Sequence, residues 1–212
     1  MLKTLQISGF VVQDPLDRRY YLGPLLISLA SGQLIAHQSL VMCAFNDLYY
    51  LRDLTGETVG LQVRVGLQRM FLEVVPSKHI IRYAMEKGSV APVHTGSGGK
   101  VLLSMLSEQE LDIILHKIKP ISLTPYTITN VEELKQEVEK ARKQGYAISY
   151  GEHVLGSAAV SVPVHNYICP VALSVFGPDS RFKNAENVLK EMKESGARIS
   201  KRWLDILGNG KK

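Results

Sequence analysis

The stretch GYAISYGEHVLGSAAVSVPVHNYICPVALSVF, residues 145–176, decides the fold of this 212-residue chain. It contains three short strand patterns, separated by connections that carry glycine or proline. In residues 158–164 (AAVSVPV) apolar side chains alternate with small or polar ones, and residues 171–176 (VALSVF) form a similar strand around Ser174. Small hydroxyls on apolar strands predict a ligand cavity lined by Ser161 and Ser174. The alternative is a sandwich-like core in which these hydroxyls only bond neighbouring backbone.

Composition is that of an ordinary globular protein. With 45% hydrophobic and 21% charged residues, the chain can bury the core of one large domain, with or without an appendage. No apolar run approaches the ~18 residues of a membrane span, and residues 1–9 lack the pattern of a signal peptide. Two cysteines, Cys43 and Cys169, make no disulfide framework. We therefore expect a cytoplasmic protein.

The net charge of +5 is mild, and the basic excess lies partly near the two ends of the chain. No stretch combines dense lysine and arginine with aromatic side chains that could stack on bases. The composition therefore does not indicate a nucleic-acid groove.

The first 23 residues predict a helix end followed by a hairpin. Residues 1–8 have helical apolar spacing, Gly9 ends the helix, and Asp14–Asp17 supply turn chemistry between two strand-like pieces. This segment has too few apolar residues to fold alone.

The middle of the chain alternates helix and strand patterns. Helices are predicted near residues 24–32 and 34–56, and strands at 59–65 and 69–75, with Gly60, Gln62 and Arg64 on a water-facing side of the first strand. A short helical turn is expected at residues 79–85. Later helices follow capping boxes at Ser107–Glu110 and Thr129–Glu132, and a closing helix covers roughly residues 184–207. The charged faces of these helices are read as solvated.

The segment HTGSGGK, residues 94–100, is a glycine-rich turn that opens a helix. Such a turn leaves backbone N–H groups at the positive end of the helix dipole, where an anion can bind. It is not a Walker A motif, because His94 stands where the first glycine belongs and Val101 where the hydroxyl belongs. A carboxylate is the better fit.

Several motifs resemble the IclR family of bacterial transcription regulators. LKTLQISGFVVQDPLDRRYYLG (residues 2–23) resembles the end of the recognition helix and the wing of the family's winged helix-turn-helix. The effector-domain motifs are TGETVGLQV, SGGKVLL, GYAISYGEHVLG, SAAVSVPV and ALSVFGP, in that order along the chain. The resemblance implies an α/β fold, namely a GAF-like (profilin-like) antiparallel sheet flanked by helices and preceded by a wing hairpin remnant and a linker helix.

The resemblance also implies a domain plan. Residues 1–22 would be a truncated winged-helix remnant, 23–36 the linker helix, 37–208 the effector-binding domain and 209–212 a frayed tail. The family's first helices have no counterpart here, so we expect at most weak, salt-sensitive contact of Arg18 and Arg19 with DNA.

By resemblance, the function is sensing of a small organic acid that modulates DNA binding, in a homodimer or homotetramer. The implied ligand-binding positions are Ser97, Gly98, Ser149, Ala159, Ser174 and Phe176, with Ile80 and Ala91 as apolar walls. Members that bind small hydroxy- or keto-acids often carry an acidic residue at the position of Ser149 and cysteine at that of Ala159. The ligand expected here therefore has an apolar or aromatic portion.

A competing hypothesis is a small-molecule-converting enzyme on the same scaffold. Glu152 and His153 are adjacent, so on a strand they point to opposite faces, and His153 is read as a packing or hydrogen-bonding residue. Ser97 and Lys100 could act as nucleophile and base, but Lys100 at a helix start is expected to reach solvent. His165 and Cys169 flank a turn, and two ligands do not make a metal site. We expect no catalysis, metal or cofactor.

Overall fold

In the computed structural model, residues 2–15, 17–26, 37–182 and 185–209 are described, and the chain divides into two units after Ser39. The first unit holds helix α1 (Leu2–Ile7) and the predicted hairpin, in which β1 (Val11–Gln13) pairs antiparallel with β2 (Tyr20–Leu22). The linker helix predicted over residues 23–36 lies mostly outside the described residues.

The second unit is organised around one antiparallel sheet of six strands in the order β5-β4-β3-β8-β7-β6. This arrangement confirms the antiparallel sheet flanked by helices. The strands are β3 (Thr58–Val65), β4 (Gln68–Val75), β5 (Val90–Pro92), β6 (Ala147–Tyr150), β7 (Ser157–Val164) and β8 (Val171–Pro178).

Helices cover both faces of the sheet. They are α2 (Gln38–Thr55), α3 (Gly96–Ser104), α4 (Glu108–Lys117), α5 (Val131–Gln144) and α6 (Ala185–Asn209). Helix α3 contacts β6, β7 and β8. On the other face Gly196 of α6 approaches the side chain of Val162. None of the described helices is long and apolar enough to cross a membrane.

The face under α3 carries the small and polar side chains. Ser161 lies opposite Ser174, and Ser174 lies opposite Gly60, so these residues point to the same side of the sheet. The water-facing side predicted for β3 was wrong, because α3 covers it and Gln62 is fully buried.

Local signals set most helix ends. The capping box at Ser107 is confirmed, and Gly145 (φ +73°) ends α5. The second predicted box was displaced by one residue, since the side chain of Asn130, not Thr129, accepts from the N–H of Glu133. Helix α6 runs to Asn209, two residues beyond the prediction. Residues 79–85 form no helix, and Ile81 there is 75% exposed, so a helix would bury little apolar surface.

Candidate functional site

A chain of buried side-chain hydrogen bonds crosses the sheet face beneath α3. The hydroxyl of Ser161 lies 2.7 Å from Ser97 Oγ and 2.7 Å from Ser174 Oγ. Gln62 Nε2 donates to Ser174 Oγ at 2.8 Å. All four side chains are at most 1% exposed. The hydroxyls of Ser161 and Ser174 therefore form hydrogen bonds with other side chains. The alternative, a core in which they bond only neighbouring backbone, was wrong.

Arg69 on β4 extends this chain. Its Nη1 donates to Gln62 Oε1 at 2.6 Å. The residue is 3% exposed, and its Nε has no hydrogen-bond partner among the described residues. Burial is the main cause that lowers the pKa of Arg69 to about 10, so the guanidinium remains charged at neutral pH. A buried cation thus stands at one end of the network.

The first turn of α3 stands at the other end. The N–H of Gly96 donates to Glu152 Oε2 at 3.0 Å, and the N–H of Ser97 donates to Ser149 Oγ at 3.0 Å. Thr95, the N-cap residue, gives no side-chain cap, because its hydroxyl donates to Pro92 O. The predicted anion-binding turn therefore holds a carboxylate, and that carboxylate belongs to the chain itself.

Lys100 binds the same carboxylate. Its Nζ lies 2.6 Å from Glu152 Oε1 and 3.3 Å from Glu137 Oε2. The expectation that Lys100 reaches solvent was wrong, since the residue is 2% exposed. Two carboxylates compensate its charge, the buried Glu152 and the partly exposed Glu137. Nor is Lys100 arranged as a base for Ser97, whose hydroxyl bonds Ser161.

Glycines let α3 approach the sheet. A Cβ added to Gly99 would lie 1.9 Å from Val93 O, and one added to Gly98 would lie 2.8 Å from Gln62 Nε2. A side chain at position 99 would clash with backbone, and one at position 98 would have to displace the buried side chain of Gln62. A carbon added to Gly96 would lie 3.6 Å from Arg69 Nη2 and 3.7 Å from Ser149 Oγ. The helix start, the guanidinium and a predicted serine therefore lie close together.

Aromatic side chains lie next to Arg69. The rings of Phe71 and Phe176 are 5.7 Å apart, and Tyr83 stacks on Phe176 at 5.4 Å with an interplanar angle of 18°. Ala159 belongs to the same buried cluster. The guanidinium carbon of Arg69 lies 5.5 Å from the ring centre of Phe71.

The two predicted apolar walls differ in position. Ala91 on β5 lies opposite Arg69 and is buried. Ile80 is 95% exposed, so it is not a buried wall of this site. Its surrounding segment between β4 and β5 instead contributes Tyr83.

His153 lies next to the start of α3. One of its ring nitrogens lies 3.5 Å from Thr95 Oγ1. Burial first, and then the nearby charges of Arg69 and His94, lower its pKa to about 4. The imidazole is therefore neutral at neutral pH, in agreement with a packing and hydrogen-bonding residue.

Among the described residues, no group of three histidine, cysteine or acidic side chains is placed to hold a metal ion. In the hairpin, Arg18 has a left-handed backbone (φ +61°) and the Arg19 side chain is 79% exposed. Contact of these two arginines with DNA stays a prediction.

The second unit is thus an antiparallel sheet whose small, polar face is closed by a glycine-rich helix. The family model described as bacterial transcriptional regulator IclR C-terminal matches residues 33–201. The chain belongs to the IclR family of transcriptional regulators, and its sheet is of the GAF-like type.

Relatives and solved structures agree with this assignment. HTH-type transcriptional regulator XynR of Escherichia coli is 31% identical over 208 residues, which cover 95% of this chain and 81% of the relative. The repressor AllR of Escherichia coli is 30% identical over 85% of this chain and 67% of its own length. The crystal structure of Thermotoga maritima IclR is 30% identical, with a TM-score of 0.75 over 95% of this chain and 82% of that one.

A further structure shares the fold. An IclR homolog from Microbacterium hydrocarbonoxydans is 22% identical, with a TM-score of 0.74 over 94% of this chain and 82% of that one, and it was solved as a complex with 4-hydroxybenzoate.

Proposed function

We propose that the described site binds a small organic acid and that its occupancy modulates DNA binding by an IclR-type regulator in the cytoplasm. The observation that carries this proposal is that Ser97, Ser149, Ser161 and Ser174 meet beneath the start of α3, with Arg69 beside Gly96. A few convergent polar groups in a largely apolar surrounding are typical of a ligand site. The 4-hydroxybenzoate complex of the Microbacterium homolog supports an acid as the ligand.

The proposed role is non-enzymatic. Lys100 is engaged by two glutamates, and Ser97 by Ser161, so these groups are not disposed as base and nucleophile. The relatives XynR and AllR carry the names of transcriptional regulators. Turnover of any acid that binds, lost on replacement of Ser97, would instead favour the enzyme hypothesis.

The proposed regulator associates with a second copy of itself. Helix α2 exposes a cluster of apolar side chains, with Met42 72%, Phe45 48% and Tyr49 40% exposed. Such a cluster is unusual on a helix that stays in contact with water and packs against no other subunit. Analytical ultracentrifugation should show a dimer or tetramer that Phe45→Lys dissociates. A monomer at every concentration would exclude this part of the proposal.

Thermal unfolding in the presence of carboxylates tests the sensing role. A ligand at about 100 times its Kd stabilises the folded state by about 2.7 kcal/mol, which raises Tm by roughly 5–10 °C for a chain of this size. Ser161→Val removes the central hydroxyl and should reduce the ligand-induced rise. Ser200→Ala is the matched control, since this buried hydroxyl bonds only Gly196 O within α6. The sensing role fails if no aliphatic or aromatic acid raises Tm of the wild-type chain.

A further inference from the structure

Arg69 is a buried cation to which no carboxylate of the described residues is directly paired. Arg69 and Lys100 are both at most 3% exposed, and Glu152 is the one buried carboxylate in their network. Both Glu152 oxygens are already engaged, by Lys100 and by the N–H of Gly96. Within the described residues, no ion pair of Arg69 within 4.0 Å is found. Burying a guanidinium without a carboxylate is costly.

The guanidinium of Arg69 has one nitrogen without a partner in the described part of the chain and another near the start of α3. Arg69 Nε has no partner among the described residues, and Nη2 lies near the position where a carbon on Gly96 would stand. A guanidinium presents its N–H groups as a planar fork that matches the two oxygens of a carboxylate. A planar carboxylate is the anion whose geometry matches this group.

The surroundings of Arg69 identify the rest of the ligand. Phe71, Phe176 and Tyr83 form a contiguous aromatic wall beside the guanidinium. Such rings favour an apolar, flat partner that can stack on them or meet them edge to face.

We propose that Arg69 binds the carboxylate of the effector and that Phe71, Phe176 and Tyr83 hold its aromatic ring, so the effector is an aromatic monocarboxylate. This inference rests on the proposed sensing function and narrows its ligand class. In this proposal Arg69 on β4 selects a negatively charged ligand. The serines and the start of α3 surround the guanidinium.

The test compares benzoate with benzamide, which has nearly the same shape and no charge, by isothermal titration calorimetry. Wild-type chain should bind benzoate about 10- to 100-fold more tightly than benzamide, the range for hydrogen bonds to a charged group. Arg69→Gln should lose that preference and leave benzamide affinity within about twofold. Arg69→Lys keeps the charge without the fork and should give an intermediate affinity. Arg64→Gln, on the neighbouring strand opposite Arg69, is the matched control and should bind like wild type.

Three results would overturn the inference. Arg69→Gln could weaken benzoate and benzamide equally, as expected of a purely structural residue. Benzoate affinity could be the same in wild type and Arg69→Gln. Acetate, pyruvate or succinate could bind wild type more tightly than benzoate, phenylacetate and 4-hydroxybenzoate, which would leave the sensing role intact and remove the aromatic class. Failure of every acid on the wild-type chain would instead be the failure of the sensing role.

Discussion

Replacing Glu152 by glutamine should destabilise the protein because it removes the main counter-charge of buried Lys100. The side chains of Lys100 and Glu152 are 3% and 9% exposed, and their Nζ–Oε1 distance is 2.6 Å. Removing one partner of a buried ion pair costs about 3–5 kcal/mol. Glu137 remains as a second partner at 3.3 Å, with its side chain 33% exposed. We therefore expect Glu152→Gln to lower the free energy of unfolding by about 2–4 kcal/mol.

Urea unfolding of a double-mutant cycle measures this effect. Lys100→Met alone should also destabilise, since it leaves Glu152 with only the N–H of Gly96. The double variant should lose less than the sum of the two single losses, by at least about 1.5 kcal/mol. Asp112→Asn, which breaks the more exposed pair with Lys135, is the control and should leave the unfolding midpoint unchanged. Additive losses, or a Glu152→Gln variant as stable as wild type, would refute the account of α3 as a helix anchored by a buried ion pair.

Two further predictions concern residues around the same helix. The folded-state pKa of His153, about 4, lies below the ordinary value of 6.5, so its contribution to stability is complete above pH 6.5 and is lost as pH falls towards 4. The full difference corresponds to about 3.4 kcal/mol, and partial exposure reduces it to about 1.5 kcal/mol. Urea unfolding between pH 7 and 4 should show this loss of stability for wild type and for the exposed-site control His116→Gln. His153→Gln should show a smaller change in the free energy of unfolding over the same pH range. Identical pH profiles for all three proteins would contradict the assignment. Gly99→Ala should cost more than about 4 kcal/mol or prevent folding, because its Cβ would lie 1.9 Å from Val93 O. Gly208→Ala, with open space around it, should be neutral by circular dichroism melting, and a stable Gly99→Ala would disprove the close approach.

The fold could be predicted from the sequence because its main strands alternate cleanly. On β7 the valines and the small residues separate onto two faces, and the same period places Ser174 on the face of Ser161 once the strands pair. The glycine-rich start of α3 could also be predicted from the sequence, since few other segments combine three glycines with a following apolar helix. These patterns do not show which helix packs on which face of the sheet.

The burial of Gln62 and Lys100 was not predicted because the sequence does not show which helix covers each face. Gln62 alternates with apolar neighbours as an exposed residue does, and only the position of α3 makes it buried. Lys100 looked like a surface lysine because its partners Glu137 and Glu152 lie far along the chain. Arg69 is the first residue of the predicted strand 69–75, and the strand pattern does not distinguish it from a surface arginine. One sequence signal does indicate a buried polar network here. The adjacent strands carry small and polar residues on the same face, and such residues are more typical of a covered polar interior than of a face in contact with water.

A crystal structure of this chain with benzoate is the most direct test of the central claim, that the polar network beneath α3 is an effector site with a cationic anchor. The account predicts the carboxylate within about 2.7–3.2 Å of Arg69 nitrogens, with the ring against Phe71 and Phe176. Benzoate bound elsewhere, with the Arg69–Gln62–Ser174 hydrogen bonds unchanged, would contradict it.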